Sequence, residues 1–250
     1  MLQTRVIPCL QLIDESLVKA IQFDKYKYIG DPCNTVRIFN ELEVDELCFL
    51  DIRASKENRT PNFEILKDIA DECFMPLSYG GGISTFEQAK KIFTIGFEKI
   101  ILNTQAYYNP SLVTEIANHF GAQAVVVSVD VKKIGEEYKV FVKDGTEKIK
   151  ENVVDYCKRM ETLGAGEILL TAINNEGTWN GFDVELTKKI TSQLKIPVIA
   201  HGGAGNLSHI KNVVEGGGAS AVALGSMLVF QKKDFGVLVN FPKKEIDKVI

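Results

Sequence analysis

Eight short runs of almost unbroken apolar residues punctuate the chain: Arg5–Leu12, Glu46–Ile52, Met75–Tyr79, Lys99–Leu102, Ala124–Val131, Glu167–Ala172, Ile196–Ala200 and Ala221–Leu224. Parallel strands buried on both faces read this way, whereas a half-exposed strand alternates. Between the runs the apolar positions take helical spacing. Ile65, Leu66, Ile69 and Cys73 share one side, Phe86, Ala89, Ile92 and Phe93 another, and Leu186, Ile190 and Leu194 a third. These stripes predict helices that cover a sheet and carry no chemistry themselves. Strand and helix alternating eight times predict an α/β fold closed into a (βα)8 TIM barrel, with an open, doubly wound sheet as the competing arrangement.

The second half of the chain echoes the first. Tyr79-Gly80-Gly81-Gly82-Ile83 corresponds to His201-Gly202-Gly203-Ala204-Gly205 at an offset of 122, and the same offset sets Asn103-Thr104 on Gly225-Ser226. Offsets of about 120 pair Phe49–Ile52 with Leu169–Ala172, and Gln11 meets Asp130 at 119. A duplicated (βα)4 unit accounts for all four pairings, which an open sheet does not. The expectation is a single domain over 1–250 with half-barrels at about 1–120 and 121–250.

Composition narrows the function classes. Hydrophobic residues make up 45% and charged residues 25%, as in an ordinary globular chain, and no run of 18 apolar residues predicts a membrane span. Twenty-nine basic against thirty-three acidic residues, with no basic block, do not suggest nucleic acid as a partner. The five cysteines (Cys9, Cys33, Cys48, Cys73, Cys157) are scattered without a CxxC pair, fitting neither a zinc site nor a disulfide framework. The opening MLQTRVIPCL lacks the pattern of a secretory signal, so a reducing cytoplasm is expected. No grouping of Cys, His, Asp and Glu has metal-ligand spacing, and neither a metal nor a cofactor is required.

Two glycine-rich turns follow the third and seventh runs. Glycine there serves either a tight turn at positive φ or the close approach of backbone N–H groups to an anion. Each cluster is partnered by a small polar turn after the next run, Asn103-Thr104 and Gly225-Ser226. The pairing predicts two phosphate sites on opposite sides of the barrel mouth. Between them Asp130 ends its run as a carboxylate flanked by apolar residues, placed either to exchange protons or to cap a helix or pair with Lys132. Its repeat partner is Gln11, an amide that forms hydrogen bonds but exchanges no proton at neutral pH. Lys19 is expected in the loop after the first run, within reach of a phosphate or a rim carboxylate. Asp51 is expected to orient Lys19 or the substrate. The rim loop Asn174–Thr178 offers the Gly177 N–H and the Thr178 hydroxyl, and His201 is either a titrating group or a structural one. At the opposite end Arg5, Glu46, Lys99 and Glu167 begin four of the runs, where barrels ordinarily carry stabilising salt bridges.

With these residues in view, RVIPCL, Gly30–Pro32, the stretch Asp45–Ser55, YGGGI, Gly164–Thr171, Glu176–Asp183 and PVIA with the following GGAGNL resemble the cyclase subunit of imidazole glycerol phosphate synthase, HisF. The resemblance runs from about residue 1 to 230. It implies a barrel that binds a ribulosyl-formimino ribotide by both phosphates. It also implies a docked HisH-type glutaminase at the N-terminal face, whose ammonia travels along the barrel axis. Gly82, Asn103 and Thr104 would form one phosphate site, and Glu176, Gly177, Gly203, Gly225 and Ser226 the other. Asp130 and Lys19 match catalytic positions, while Arg5, Glu46, Lys99 and Glu167 match the charged gate at the ammonia entrance. Departures accompany the match. The family has an aspartate where this chain has Gln11, an Asp-Arg-Asp-Gly-Thr loop where it has Asn174–Thr178, and commonly a serine at His201. Together with YKYIGDP (Tyr26–Pro32) and the ending FGVLVNFPKKE, they resemble a HisF-like branch that works with a glutaminase and a third, sugar-modifying protein on acetamidino sugars. Two alternatives remain: the histidine-pathway cyclase itself, and a non-catalytic activator of the glutaminase.

Overall fold

The computed structural model describes residues 4–249; of the span 1–250, Met1–Gln3 and Ile250 lie outside the described residues. Eight parallel strands form the barrel: β1 (Arg5–Ile13), β2 (Leu47–Asp51), β3 (Leu77–Gly80), β4 (Lys99–Leu102), β5 (Val125–Ile134), β6 (Glu167–Ala172), β7 (Val198–His201) and β8 (Ala221–Leu224). Each pairs with its neighbour in chain order, and β8 closes on β1 with Arg5 opposite Ala221. The closed barrel is therefore correct and the open sheet is not.

Helices α1 (Pro32–Glu41), α2 (Phe63–Glu72), α3 (Phe86–Ile95), α4 (Ser111–Phe120), α5 (Val153–Thr162), α6 (Val184–Thr191), α7 (Leu207–Glu215) and α8 (Lys243–Ile246) follow the strands in turn. Their starts are written locally. Asn62, Asn152, Asp183 and Asn206 accept hydrogen bonds from the first free N–H groups of α2, α5, α6 and α7, and Thr85 with Gln88 closes a capping box on α3. The apolar stripes do face the sheet: Leu66 and Ile69 in α2, Ala89 and Ile92 in α3, and Leu186 and Ile190 in α6 are buried. Among the described residues no helix is long and apolar enough to cross a membrane.

Alternation along the strands sorts side chains into two cores. Leu10, Phe49, Ile100, Val127 and Val222 pack against the helices. Ile7, Cys9, Cys48, Ile101, Val126, Leu169, Ile199, Ala221 and Ala223 fill the barrel interior. This parity corrects the repeat register. Cys48 and Leu169 both point inward, as do Ile199 and, two residues before Gly80, Ser78. The matching offset for β2/β6 and β3/β7 is therefore 121, rather than 120 and 122. A slip of one residue would exchange the two faces of a strand. Gly82 then corresponds to Gly203, while 119 for β1/β5 and 122 for β4/β8 stand.

Two antiparallel hairpins lie beyond what the apolar pattern predicts. Ser16–Ala20 and Tyr26–Gly30 extend β1, and Glu137–Val142 and Glu147–Asn152 extend β5, the equivalent strand of the second half. Lys19 therefore sits in a strand and is buried, not in a loop as expected from the sequence.

Candidate functional site

The C-terminal ends of the strands surround a central cleft lined by Gln11, Asp51, Asn103, Asp130, Thr171 and His201. Asp130 faces it from β5. Its Oδ1 accepts from the Ser128 hydroxyl at 3.1 Å and its Oδ2 from the Asn103 amide at 3.2 Å. Burial disfavours the charged carboxylate and pushes its pKa up to about 6, although the Ser128 hydroxyl, the nearby His201 and the Thr171 hydroxyl pull the other way. Asp130 thus neither caps a helix nor pairs with Lys132, and it is poised to exchange a proton near neutrality.

Gln11 lies on the inward face of β1, and both ends of its amide are engaged. Oε1 accepts from the Ala20 N–H at 2.7 Å, and Nε2 donates to Glu176 Oε1 at 3.3 Å. The amide clamps the first hairpin to the loop after β6. Lys19 Nζ forms an ion pair with the same Glu176 oxygen, both side chains almost fully enclosed, and burial pulls the Lys19 ammonium down from its ordinary range. The second carboxylate oxygen, Glu176 Oε2, is buried and meets no donor among the described residues. A buried acceptor without a partner marks a place for a ligand or ordered donor.

Asp51 does not orient Lys19, contrary to expectation. Its carboxylate accepts from the Arg53 and Ala54 N–H groups at 3.1 and 2.9 Å, and from Arg59 at 3.2 Å. The acceptor of Lys19 is Glu176, which the resemblance places in a phosphate site. A buried carboxylate is no phosphate donor; its part in that site is to hold the lysine.

The residues expected at the two anion sites gather on opposite sides of the mouth, above β3/β4 and β7/β8. Gly177, Gly203, Gly225 and Ser226 line one small cavity together with Lys19 and Glu176. Gly203 has φ +105°, and a Cβ there would sit 2.1 Å from the Gly181 carbonyl oxygen, so only glycine lets the backbone pass. Thr178 is not a donor to this cavity: its hydroxyl donates to the Asn175 carbonyl at 2.7 Å. On the other side Gly82 and Thr104 share a cleft with Arg59, Ser84 and Lys143. Asn103 turns instead into the central cleft beside Asp130. The two sides share one turn: Asn103 (φ −123°, ψ −82°) and Gly225 (φ −107°, ψ −92°) each precede a short helix, Thr104–Tyr108 and Ser226–Val229. Arg59 and Lys143 supply cations that sequence reasoning missed, because both come from loops without a periodic signal. Thr171 and Ser128 were hidden inside apolar runs.

At the opposite end the four charges form a closed ring across the barrel floor. Arg5 reaches Glu46 at 2.8 Å and Glu167 at 2.7 Å, and Lys99 reaches the same two carboxylates at 3.0 and 3.4 Å. Every member bonds both members of opposite sign. Above the ring the lumen is lined by Ile7, Cys48, Ile101 and Leu169, up to the level of Cys9, and the one hydroxyl among them, Ser78, is spent on the Leu47 carbonyl at 3.2 Å.

Comparison with known proteins agrees with this geometry. The family described as Histidine biosynthesis protein matches residues 5–234. The imidazole glycerol phosphate synthase subunit HisF of Chlorobium phaeobacteroides is 42% identical over 232 residues, 93% of this chain and 92% of that protein. A Pseudomonas aeruginosa protein, provisionally named imidazole glycerol phosphate synthase subunit hisF2, is 46% identical over 243 residues, 97% of each chain. A Leptospira borgpetersenii protein with a provisional HisF name is also 46% identical, over 244 residues covering 97% of this chain and 96% of its own length. Near-complete coverage at this identity, together with the family match over residues 5–234, makes this chain a member of the HisF family.

Proposed function

We propose that the chain is the ammonia-using synthase subunit of a glutamine amidotransferase. Ammonia released by a HisH-type glutaminase docked on the N-terminal face passes the floor ring and crosses the lumen. At the mouth it attacks a substrate held by a phosphate at each end. The closed ring of Arg5, Glu46, Lys99 and Glu167 carries this reading. It lies across the barrel axis itself, at the end opposite the site, and closes as a ring of four bonds rather than as separate stabilising pairs. The test is reconstitution with a HisH-type glutaminase. Replacing Lys99 with Met should alter glutamine-dependent turnover while leaving turnover on saturating ammonium salt in place. A protein that neither bound nor activated such a glutaminase would end the proposal.

Gln11 favours a second, narrower reading. Its amide is committed at both ends and transfers no proton, and loss of one proton-transfer group costs about 10²–10⁴ in rate. That supports an acceptor other than the ribulosyl-formimino ribotide, such as an acetamidino group built on a surface sugar with a third protein. Assay of the purified chain on that ribotide with saturating ammonium salt separates the two. Turnover that falls on changing Asp130 supports the cyclase, and none from folded protein supports the diverged acceptor.

A further inference from the structure

Asp130, Thr171 and His201 stand in one row around the barrel mouth. Thr171 on β6 is in register with Asp130 on β5 and with His201 on β7, and all three side chains are buried. His201 Nδ1 lies 3.1 Å from the Thr171 hydroxyl oxygen. On its other side the same hydroxyl stands next to Asp130 across the β5–β6 pairing and lines the cleft with it, where it favours the ionised carboxylate. A hydroxyl has one proton to give and lone pairs to receive one. With its proton turned toward Asp130 the Thr171 hydroxyl accepts from His201 Nδ1–H, which leaves Nε2 as the free base. His201 is also the one side chain that borders both the central cleft and the cavity of Gly177 and Gly203 among the described residues.

We propose that His201 is the second proton-transfer group of this site, coupled to Asp130 through the Thr171 hydroxyl and taking over the exchange that Gln11 cannot perform. The proposal rests on the ammonia-addition reading above. In that reaction the ammonia lone pair forms a bond to an amidine-type carbon, and the C=N π pair moves to nitrogen. His201 removes a proton from the new ammonium nitrogen and returns it to the departing nitrogen as that C–N bond breaks, so the protein gains and loses nothing. The ionised Asp130 stabilises the imidazolium between the two transfers. Other groups also face the ring: the Cys9 thiol from β1, and the Lys19 ammonium from the first hairpin, itself paired with Glu176. The coupling must be read against both.

Two measurements test it, and they fail separately. The first reads which His201 ring nitrogen carries the proton, by NMR on the whole chain with no substrate. Asp130→Ala frees the Thr171 hydroxyl to donate to Nδ1 and should move the ring proton to Nε2. Thr171→Val, which removes the acceptor of Nδ1–H, should do the same, and Thr171→Ser should keep the proton on Nδ1. A proton on Nε2 in the unaltered chain, or one on Nδ1 that neither Asp130→Ala nor Thr171→Val moves, overturns the relay, whatever the reaction proves to be. The second is ammonium-dependent turnover of the ribulosyl-formimino ribotide. His201→Asn should lower kcat by about 10²-fold or more with little change in KM, and added imidazole should restore part of the rate to His201→Ala. A loss confined to KM, or no loss, overturns the catalytic role. If the unaltered chain turns over no ribotide, the cyclase reading fails and the ring-proton measurement alone decides the relay.

Discussion

Asp130 is held in a place that suits chemistry better than stability, and the cost is measurable. A free aspartate ionises near 3.8, while burial holds Asp130 protonated up to about 6. At roughly 1.4 kcal/mol per pH unit, that gap makes its ionised form cost the folded state about 3 kcal/mol. The sign follows from proton binding. Between pH 3.8 and about 6 the folded chain holds the proton that the unfolded chain has released, so this contribution falls as pH rises and stays low above 6. Asp130→Asn removes the charge while keeping the shape. The new amide can be received by Ser128, whose hydroxyl turns from donor to acceptor, while its oxygen keeps the Asn103 bond. The variant should therefore be more stable than the parent by about 1–3 kcal/mol at pH 8, a rise of about 3–10 °C in Tm for a chain of this length. At pH 4 the two should nearly coincide. Urea unfolding of both proteins at pH 4, 5, 6 and 8 gives the comparison. A difference that is flat across the series, or that favours the parent at pH 8, would refute the assignment of Asp130 as a strained, desolvated carboxylate.

Further outcomes follow from the same packing. Lys19→Met strips the cation from an enclosed Glu176 and should cost about 3–5 kcal/mol in urea unfolding, and adding Glu176→Gln should recover most of it. Equal cost for the single and double variants would mean that the pair is not the unit. Gly203→Ala, with its Cβ driven against the Gly181 carbonyl, should cost more than about 2 kcal/mol and abolish protection by inorganic phosphate in thermal melts. Gly135→Ala is the control: it has φ +60° but open space around it, so it should cost only about 1 kcal/mol. In the floor ring Arg5→Met should destabilise more than Lys99→Met, because the Arg5 bonds are shorter. Both losses should be about 1–2 kcal/mol, because Arg5 is partly open to solvent, and should shrink in high salt.

The barrel was legible because its strands are buried on both faces, so residues such as Val125–Val131 and Ile168–Leu170 leave a continuous apolar trace. The hairpins were not, because their outer faces are wet and the signal is diluted. The turn residues Gly135 and Asp144-Gly145, at φ +60°, +56° and +69°, mark the second one locally but leave no trace in the apolar pattern. In the site, glycines and Asp130 were readable from position alone, since a turn after a strand fixes where the backbone goes. Partner choice was not. Asp51 and Glu176 are both rim carboxylates in the sequence, and which of them meets Lys19 depends on the hairpin that carries the lysine inward. His201 was ambiguous for a related reason: its neighbour Thr171 is thirty residues away and shows itself only once β6 and β7 lie side by side.

The floor ring has an even number of charges, two of each sign, so the barrel's lower aperture presents no net field along its axis despite being built from ions. That balance is discrete. Any one neutralising substitution leaves an aperture of definite sign, negative after Lys99→Met and positive after Glu46→Gln. Making both changes restores zero but leaves Arg5–Glu167 as the only one of the four ion pairs. Sign and obstruction, which look inseparable in a plug of four interlocked side chains, can thus be varied independently with three variants. A neutral passenger would respond to the number of pairs that remain, and a cation to the sign.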